Sequence, residues 1–212
     1  MDIFSRYKAV IENTDYPTVL EIGAAEGEDT VRYVGALVAL NRPFRYIAFE
    51  PDERNIWHLQ RLVDKLHFEL IPKAVGDING LAPWKSSNHP YSGSVKEPKE
   101  HLTLYPHITF GERDSVGMVR LDDCIKGKVD WIWCDVQGAE DLVIGGAQET
   151  LARTRFFYTE YIECEAYQGQ IGRDEILRRL PGKWAIAEDY RSWEKGGDCL
   201  FENLTVAGPG PI

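Results

Sequence analysis

Residues 18–27 read TVLEIGAAEG and residues 46–50 read YIAFE. A short apolar run enters a glycine turn, a helix-like segment follows, and a second apolar run ends in a carboxylate. In α/β proteins this order of elements places a nucleoside-bearing ligand at the carboxyl ends of parallel strands. The feature predicts a layered fold and a binding crevice together.

The remaining pattern extends that half-sheet. Ile3, Phe4, Tyr7, Val10 and Ile11 recur at helical spacing, so residues 1–16 are expected to form an amphipathic N-terminal helix that packs on the sheet or covers the crevice. Residues 19–22 read as a first buried strand, 28–40 as a helix with Val31, Val34, Leu37 and Val38 on one face, and 45–50 as a second strand. Asp52 can cap a helix carrying Ile56, Leu59, Leu62 and Val63, and 68–75 reads as a third strand. The rhythm then fails. Residues 84–117 include polar stretches rich in Pro and Gly with weak periodicity, which suits a lid over a site or a surface insertion. Alternation resumes with a strand at 129–135, a helix at 139–151 despite Gly145 and Gly146, a strand at 156–162 and a helix at 174–180. Residues 184–188 and 199–204 could close the sheet as an antiparallel hairpin, giving one domain over 1–206 and a flexible tail at 207–212.

Composition narrows the partners. A chain of 212 residues, 43% apolar and 27% charged, suits one buried core, and no apolar run approaches a bilayer span. Its net charge of −10, with no segregated basic face, opposes nucleic-acid binding. The opening MDIFSRYK lacks the features of a secretory signal, so a cytoplasmic location is expected. Cys124, Cys134, Cys164 and Cys199 lie far apart, with no C-x-x-C pair and no zinc-like His spacing, so reduced thiols and no metal site are expected. A small-molecule partner remains, and the sequence is compatible with a homodimer.

Several residues carry the chemistry. Gly23 and Gly27 let the backbone approach a ligand, with Ala24 between them, and Glu21 can accept a hydrogen bond from a cationic group. The turn lacks the G-x-G-x-x-G of a dinucleotide site, and Glu26 would repel a pyrophosphate. A positively charged cofactor without phosphates fits better, which describes S-adenosylmethionine; an NAD-dependent oxidoreductase remains the rival reading. Glu50, followed by Pro51, can accept both ribose hydroxyls, and Asp77 is either an adenine contact or a turn residue. Asp135 ends the strand 129–135 and should face the same crevice, with Gln137 beside it. Asp135 and Glu160 are the best placed proton acceptors, while Ser92, Tyr167 and Gln168 are candidates for an acceptor pocket. His89 and His107, in the long polar segment, read as surface residues before they read as bases.

The segments LEIGAAEG, AFEPD, AVGDING, RLDD, DVQGAEDLVIGGAQETL, YQGQ and GDCLFEN occur in an order that resembles the FkbM-type S-adenosylmethionine-dependent methyltransferases, from about Val19 to Asn203. The resemblance implies a class I methyltransferase fold, a seven-stranded sheet with its last strand antiparallel, and methyl transfer to a hydroxyl of a sugar or secondary metabolite. Three departures stand out: Glu21 replaces the usual Asp, Gln137 replaces a central acid, and Glu160-Tyr-Ile162 lacks the His that many members carry two positions after the acid. Transfer to nitrogen and a non-catalytic cofactor-binding domain remain alternatives.

Overall fold

The structure is a computed structural model that describes residues 2–206, leaving aside the side chains of Glu112 and Arg113. The expected tail at 207–212 lies outside the described residues. In chain order the elements are α1 (Ile3–Glu12), β1 (Thr18–Ile22), α2 (Glu28–Ala39), β2 (Arg45–Phe49), α3 (Glu53–Leu66), β3 (Glu69–Ile71), β4 (Ala74–Val75), β5 (Gly80–Ser87) and α4 (His101–Leu104). They continue as β6 (Phe110–Val119), α5 (Leu121–Cys124), β7 (Val129–Cys134), α6 (Glu140–Gly145), α7 (Gln148–Ala152), β8 (Thr154–Ile162), α8 (Arg173–Arg179), β9 (Trp184–Trp193) and β10 (Gly196–Asn203).

Seven strands form one sheet in the order β3-β2-β1-β7-β8-β10-β9, in which β10 runs antiparallel to both neighbours. The pairs from β3 through β8 are all parallel. Successive side chains on a strand point to opposite faces, so each apolar run feeds two cores. Leu20, Ile22, Ile132, Cys134 and Phe157 fill one, and Val19, Trp131, Phe156 and Tyr158 fill the other. Helix α1 packs on the second face: its Tyr7 ring lies 4.5 Å from Tyr33 and 5.5 Å from Trp131, centroid to centroid. It supports the sheet and leaves the crevice to other elements. All four cysteines are free, with Cys134 and Cys199 buried.

Three expectations need correction. The strand expected over 68–75 breaks at Pro72-Lys73, where a residue without an N–H cannot continue the ladder; β3 stays in the large sheet and β4 joins a second one. The weakly periodic stretch 84–117 is largely ordered. Strands β5 and β6 pair antiparallel in the three-stranded sheet β4-β6-β5 and frame a loop at 88–109 that contains α4. Few side chains of this small sheet are buried, Ala74, Ala82 and Met118 among them, so its strands lack a strong apolar alternation. The helix expected over 139–151 is two, α6 and α7, parted at Gly146-Ala147, where the backbone of Gly146 packs so closely on Gly76 that an added Cβ would lie 1.8 Å from its carbonyl oxygen. Backbone meets backbone there.

Asp122, in the RLDD segment, explains how α7 begins. Its carboxylate is 7% exposed and accepts hydrogen bonds from the backbone N–H groups of Glu149 (3.1 Å) and Thr150 (2.7 Å), which have no partner inside the helix. Asp122→Ala should cost about 1–2 kcal/mol in urea denaturation, the scale of a lost helix cap. Unchanged stability would show that water replaces the carboxylate without loss.

Candidate active site

The carboxyl ends of β1, β2, β7 and β8 meet beneath the loop 88–109. Gly23 has φ +89°, and its N–H donates to the carbonyl of Phe49 at 2.9 Å, which ties the turn to β2. The Asp135 N–H donates to Ile22 at 2.9 Å, which ties it to β7. Gly27 caps α2 and rests against Leu59 and Leu62, and Ala24 is buried in the core, so neither is among the residues lining the two cavities of the crevice. The glycines of this turn allow close packing inside the protein itself.

Two cavities adjoin. The first is lined by Gly23, Glu50, Pro51, Lys73, Val75 and Trp84, with Pro90 and Tyr91 from the loop above. Glu50 is 4% exposed, and its carboxylate accepts from the backbone N–H groups of Ala25 and Asp52, both at 2.8 Å. Burial raises its pKa to about 7 against those bonds. The second cavity, of about 360 Å³, is polar: Ser92, His101, Tyr105, Glu140, Glu160 and Tyr167 line it, with His89 and His107 at exposed positions. Asp135, Gln137 and Tyr91 line both cavities, so the two meet there.

Asp135 accepts a hydrogen bond from Gln137 Nε2 at 2.7 Å, and burial raises its pKa. Glu160 is pushed up to about 9 by burial first, then by the charges of Asp135, Asp198 and Glu140. That direction favours its protonated form at neutral pH, in which it donates a hydrogen bond. Asp198 stands opposite Glu160 in the β10–β8 register, and burial raises it to about 6. Glu140 is raised to about 7, again chiefly by burial.

Other expected residues lie elsewhere. Glu21 points with Val19 into the opposite core, where it is 1% exposed and accepts from Thr30 Oγ1 (2.6 Å) and Tyr46 OH (2.8 Å). It stabilises the turn from beneath and lines neither cavity, since strand alternation turns it away. Asp77 is exposed beyond β4; the early end of the third strand brings Lys73, Ala74 and Val75 to the crevice in its place. Gln168 is exposed, and Gln170 of the same loop reaches the second cavity instead. Tyr167 and Ser92 do meet there: the Tyr167 hydroxyl donates to the Ser92 carbonyl at 2.9 Å. Ile162, two residues after Glu160, also lines this cavity. His101, Tyr105, Lys73 and Trp84 are not legible as site residues in the sequence, because loop 88–109 and the strand breaks beside it carry no periodic signal.

The loop is anchored across both cavities. Tyr91 OH donates to Glu26 Oε2 at 2.9 Å, Asn55 Nδ2 to the Pro90 carbonyl at 2.9 Å, and Ser94 Oγ to the Gln137 carbonyl at 2.8 Å. Lys96 pairs with Asp141 at 2.6 Å. Among the described residues no group of three or more His, Cys, Asp or Glu is arranged to hold a metal ion, and no helix is long and apolar enough to cross a membrane.

Comparison with known proteins gives the same architecture a family. Residues 21–193 match the methyltransferase FkbM domain. The 2-O-methyltransferase NoeI of Sinorhizobium fredii (strain NBRC 101917 / NGR234) is 37% identical over 93% of this chain and 84% of its own. Among solved structures, the methyltransferase FkbM from Methylobacillus flagellatus KT aligns with a TM-score of 0.57 at 15% identity over 89% of this chain, which spans 44% of that longer one. A putative rRNA-methylase from Clostridium thermocellum gives 0.56 at 11% identity over 96% of each chain. At such identities the two structures speak for the fold alone. The domain match and the NoeI relationship carry the assignment: this chain belongs to the FkbM methyltransferase family and is a methyltransferase.

Proposed function

We propose that the enzyme moves a methyl group from S-adenosylmethionine in the first cavity to a hydroxyl of a small polyhydroxylated acceptor, a sugar or a biosynthetic intermediate, in the second. The observation that carries the reading is the junction of an apolar-walled cavity with a polar one at Asp135 and Gln137. Transfer between two bound molecules needs such a junction, with the reacting atoms held in line and water kept out. The name of the relative NoeI, a 2-O-methyltransferase, supports oxygen as the receiving atom. A cavity of about 360 Å³ suits an acceptor of sugar size, and its hydroxyl, carboxyl and imidazole lining suits hydroxyl groups.

The residues present fit the methyl donor. Glu50, at the end of β2, offers buried carboxylate oxygens for a ribose, Trp84 and Val75 give apolar surface for a base, and Asp135 offers a carboxyl group at the junction of the two cavities. The donor, when bound, supplies an electrophilic methyl on a positive sulfur. The first cavity holds only about 60 Å³, so a nucleoside enters when residues 88–109 lift and the Tyr91–Glu26 bond opens. Closure then returns Pro90 and Tyr91 over the site and excludes water. Glu160, protonated, can donate a hydrogen bond that orients the acceptor.

Glu50→Ala tests the donor site. Charge-assisted bonds to two hydroxyls contribute roughly 2–4 kcal/mol together, so S-adenosylhomocysteine should bind about 30-fold or more weakly by calorimetry. Wild-type affinity in a folded variant would remove Glu50 from the donor site. Labelled methyl transfer to simple methyl glycosides tests the acceptor class.

A further inference from the structure

Three imidazoles reach the acceptor cavity, and they differ in setting. His89 and His107 are exposed, whereas His101 is 3% exposed. Its backbone is fixed against the segment after β8. The N–H groups of Lys99 and His101 donate to the Ala166 carbonyl at 2.8 and 3.0 Å, that of Glu100 to Glu165 at 3.0 Å, and Pro98 bridges to Tyr167. The ring sits among aromatics, with centroids 4.9 Å from Tyr105, 5.2 Å from Phe110 and 5.1 Å from Tyr167. Nδ1 is closed off from solvent without a hydrogen-bond partner, which leaves Nε2 as the nitrogen in reach of the cavity.

We propose that His101 Nε2 is the proton acceptor for the acceptor hydroxyl, delivered from the loop rather than from a strand end. The proposal rests on the reading of hydroxyl methylation. As the hydroxyl oxygen forms its bond to the methyl carbon, the carbon–sulfur bond breaks with its electron pair left on sulfur. The O–H bond also breaks, and the proton passes to Nε2. Two features suit the ring to this task. The three aromatic rings, with centroids 4.9 to 5.2 Å away, hold the imidazole in one place at the cavity wall. Burial, followed by the charge of His107, lowers the imidazole pKa, so the ring is neutral and able to accept a proton at pH 7. His89, Tyr91, His107 and Tyr105 from the loop, Tyr167 from the loop after β8, Glu140 at the start of α6, and Glu160 and Asp135 from the strand ends are the other titratable groups around the cavity. Glu160 holds a proton under the same conditions.

Two measurements decide the matter. In the complex with S-adenosylhomocysteine, imidazole nitrogen NMR shifts, assigned by comparison with His101→Gln, should report a neutral ring at pH 7 with its proton on Nδ1 and a free lone pair on Nε2. A ring protonated at pH 7, or one carrying its proton on Nε2, overturns the proposal whether or not an acceptor is found. With labelled S-adenosylmethionine and a panel of methyl hexosides and 6-deoxyhexosides, His101→Gln should lower kcat by about 10²–10⁴-fold and flatten the acid limb of the pH profile. Affinity for S-adenosylhomocysteine should stay within twofold. A His101→Gln rate within threefold of wild type, with the same pH profile, also overturns it. If the wild type binds S-adenosylhomocysteine yet methylates none of these glycosides, the sugar reading fails, and the NMR result still decides the state of His101.

Discussion

Gly23→Ala is expected to abolish donor binding and to remove about 3–5 kcal/mol of stability, near the upper end for a single substitution. Two causes act together. The residue has φ +89°, a region that strains any side chain but glycine's hydrogen. An added Cβ would also sit 1.8 Å from the carbonyl oxygen of Asp135, an atom on the neighbouring strand end that cannot rotate away. Relief requires β1 and β7 to separate at their carboxyl ends, where the Asp135 N–H to Ile22 bond now holds them at 2.9 Å. That separation moves Asp135, which lines both cavities. Gly35 gives the control. It lies within α2 with no heavy atom within 4 Å of an added Cβ, so Gly35→Ala should stabilise the protein by about 0.5–1 kcal/mol through better helix propensity. Urea denaturation of both variants, with S-adenosylhomocysteine calorimetry, separates the outcomes. A Gly23→Ala protein with wild-type stability and affinity would mean that the turn tolerates the rearrangement.

The contrast between these glycines reflects what a sequence can convey. The strands β1, β2, β7 and β8 were legible because each is nearly wholly buried, and burial on both faces leaves an unbroken apolar run. Strands β5 and β6 were not, because few of their side chains join a core and their pairing depends on partners distant in the chain. Glu50 and the turn at Asp135 could be placed at strand ends, which is a topological inference from where an apolar run stops. Glu21 marks the limit of that inference. The run fixes where the strand ends, while the alternation of Val19 and Glu21 against Leu20 and Ile22 decides which core each side chain enters. His101 gave no signal at all. It sits in a four-residue helix, and the backbone bonds to Glu165 and Ala166 together with the rings of Tyr105, Phe110 and Tyr167 bury it. A polar residue buried by tertiary contact looks, in sequence, like any surface residue.

Affinity for S-adenosylmethionine should rise by about tenfold or more between pH 6 and pH 8, and binding should release protons. Burial raises Glu50 and Glu140 to about 7, Glu160 to about 9 and Asp198 to about 6, and Asp135 is raised as well. The free protein thus carries protons on this crevice at neutral pH. A ligand with a net positive charge favours the ionised carboxylates, so it lowers their pKa values and expels protons; each proton released per binding event gives about tenfold in affinity per pH unit. S-adenosylhomocysteine lacks the sulfonium charge and should show a shallower dependence. Titration calorimetry in two buffers of different ionisation enthalpy counts the protons directly. Stability of the free protein follows the opposite course. Because the folded pKa values lie above the unfolded ones, the folded state binds more protons across about pH 4.5–9, and stability falls as pH rises, by at most about 1.4 kcal/mol per pH unit per group. The free enzyme should therefore melt at progressively lower temperature from pH 6 to pH 9, while the complex with S-adenosylmethionine loses less. Binding without proton release, or parallel loss of stability in both states, would mean that the crevice carboxylates are ionised before the cation arrives. The charge complementarity inferred here would then be set before binding and not coupled to it.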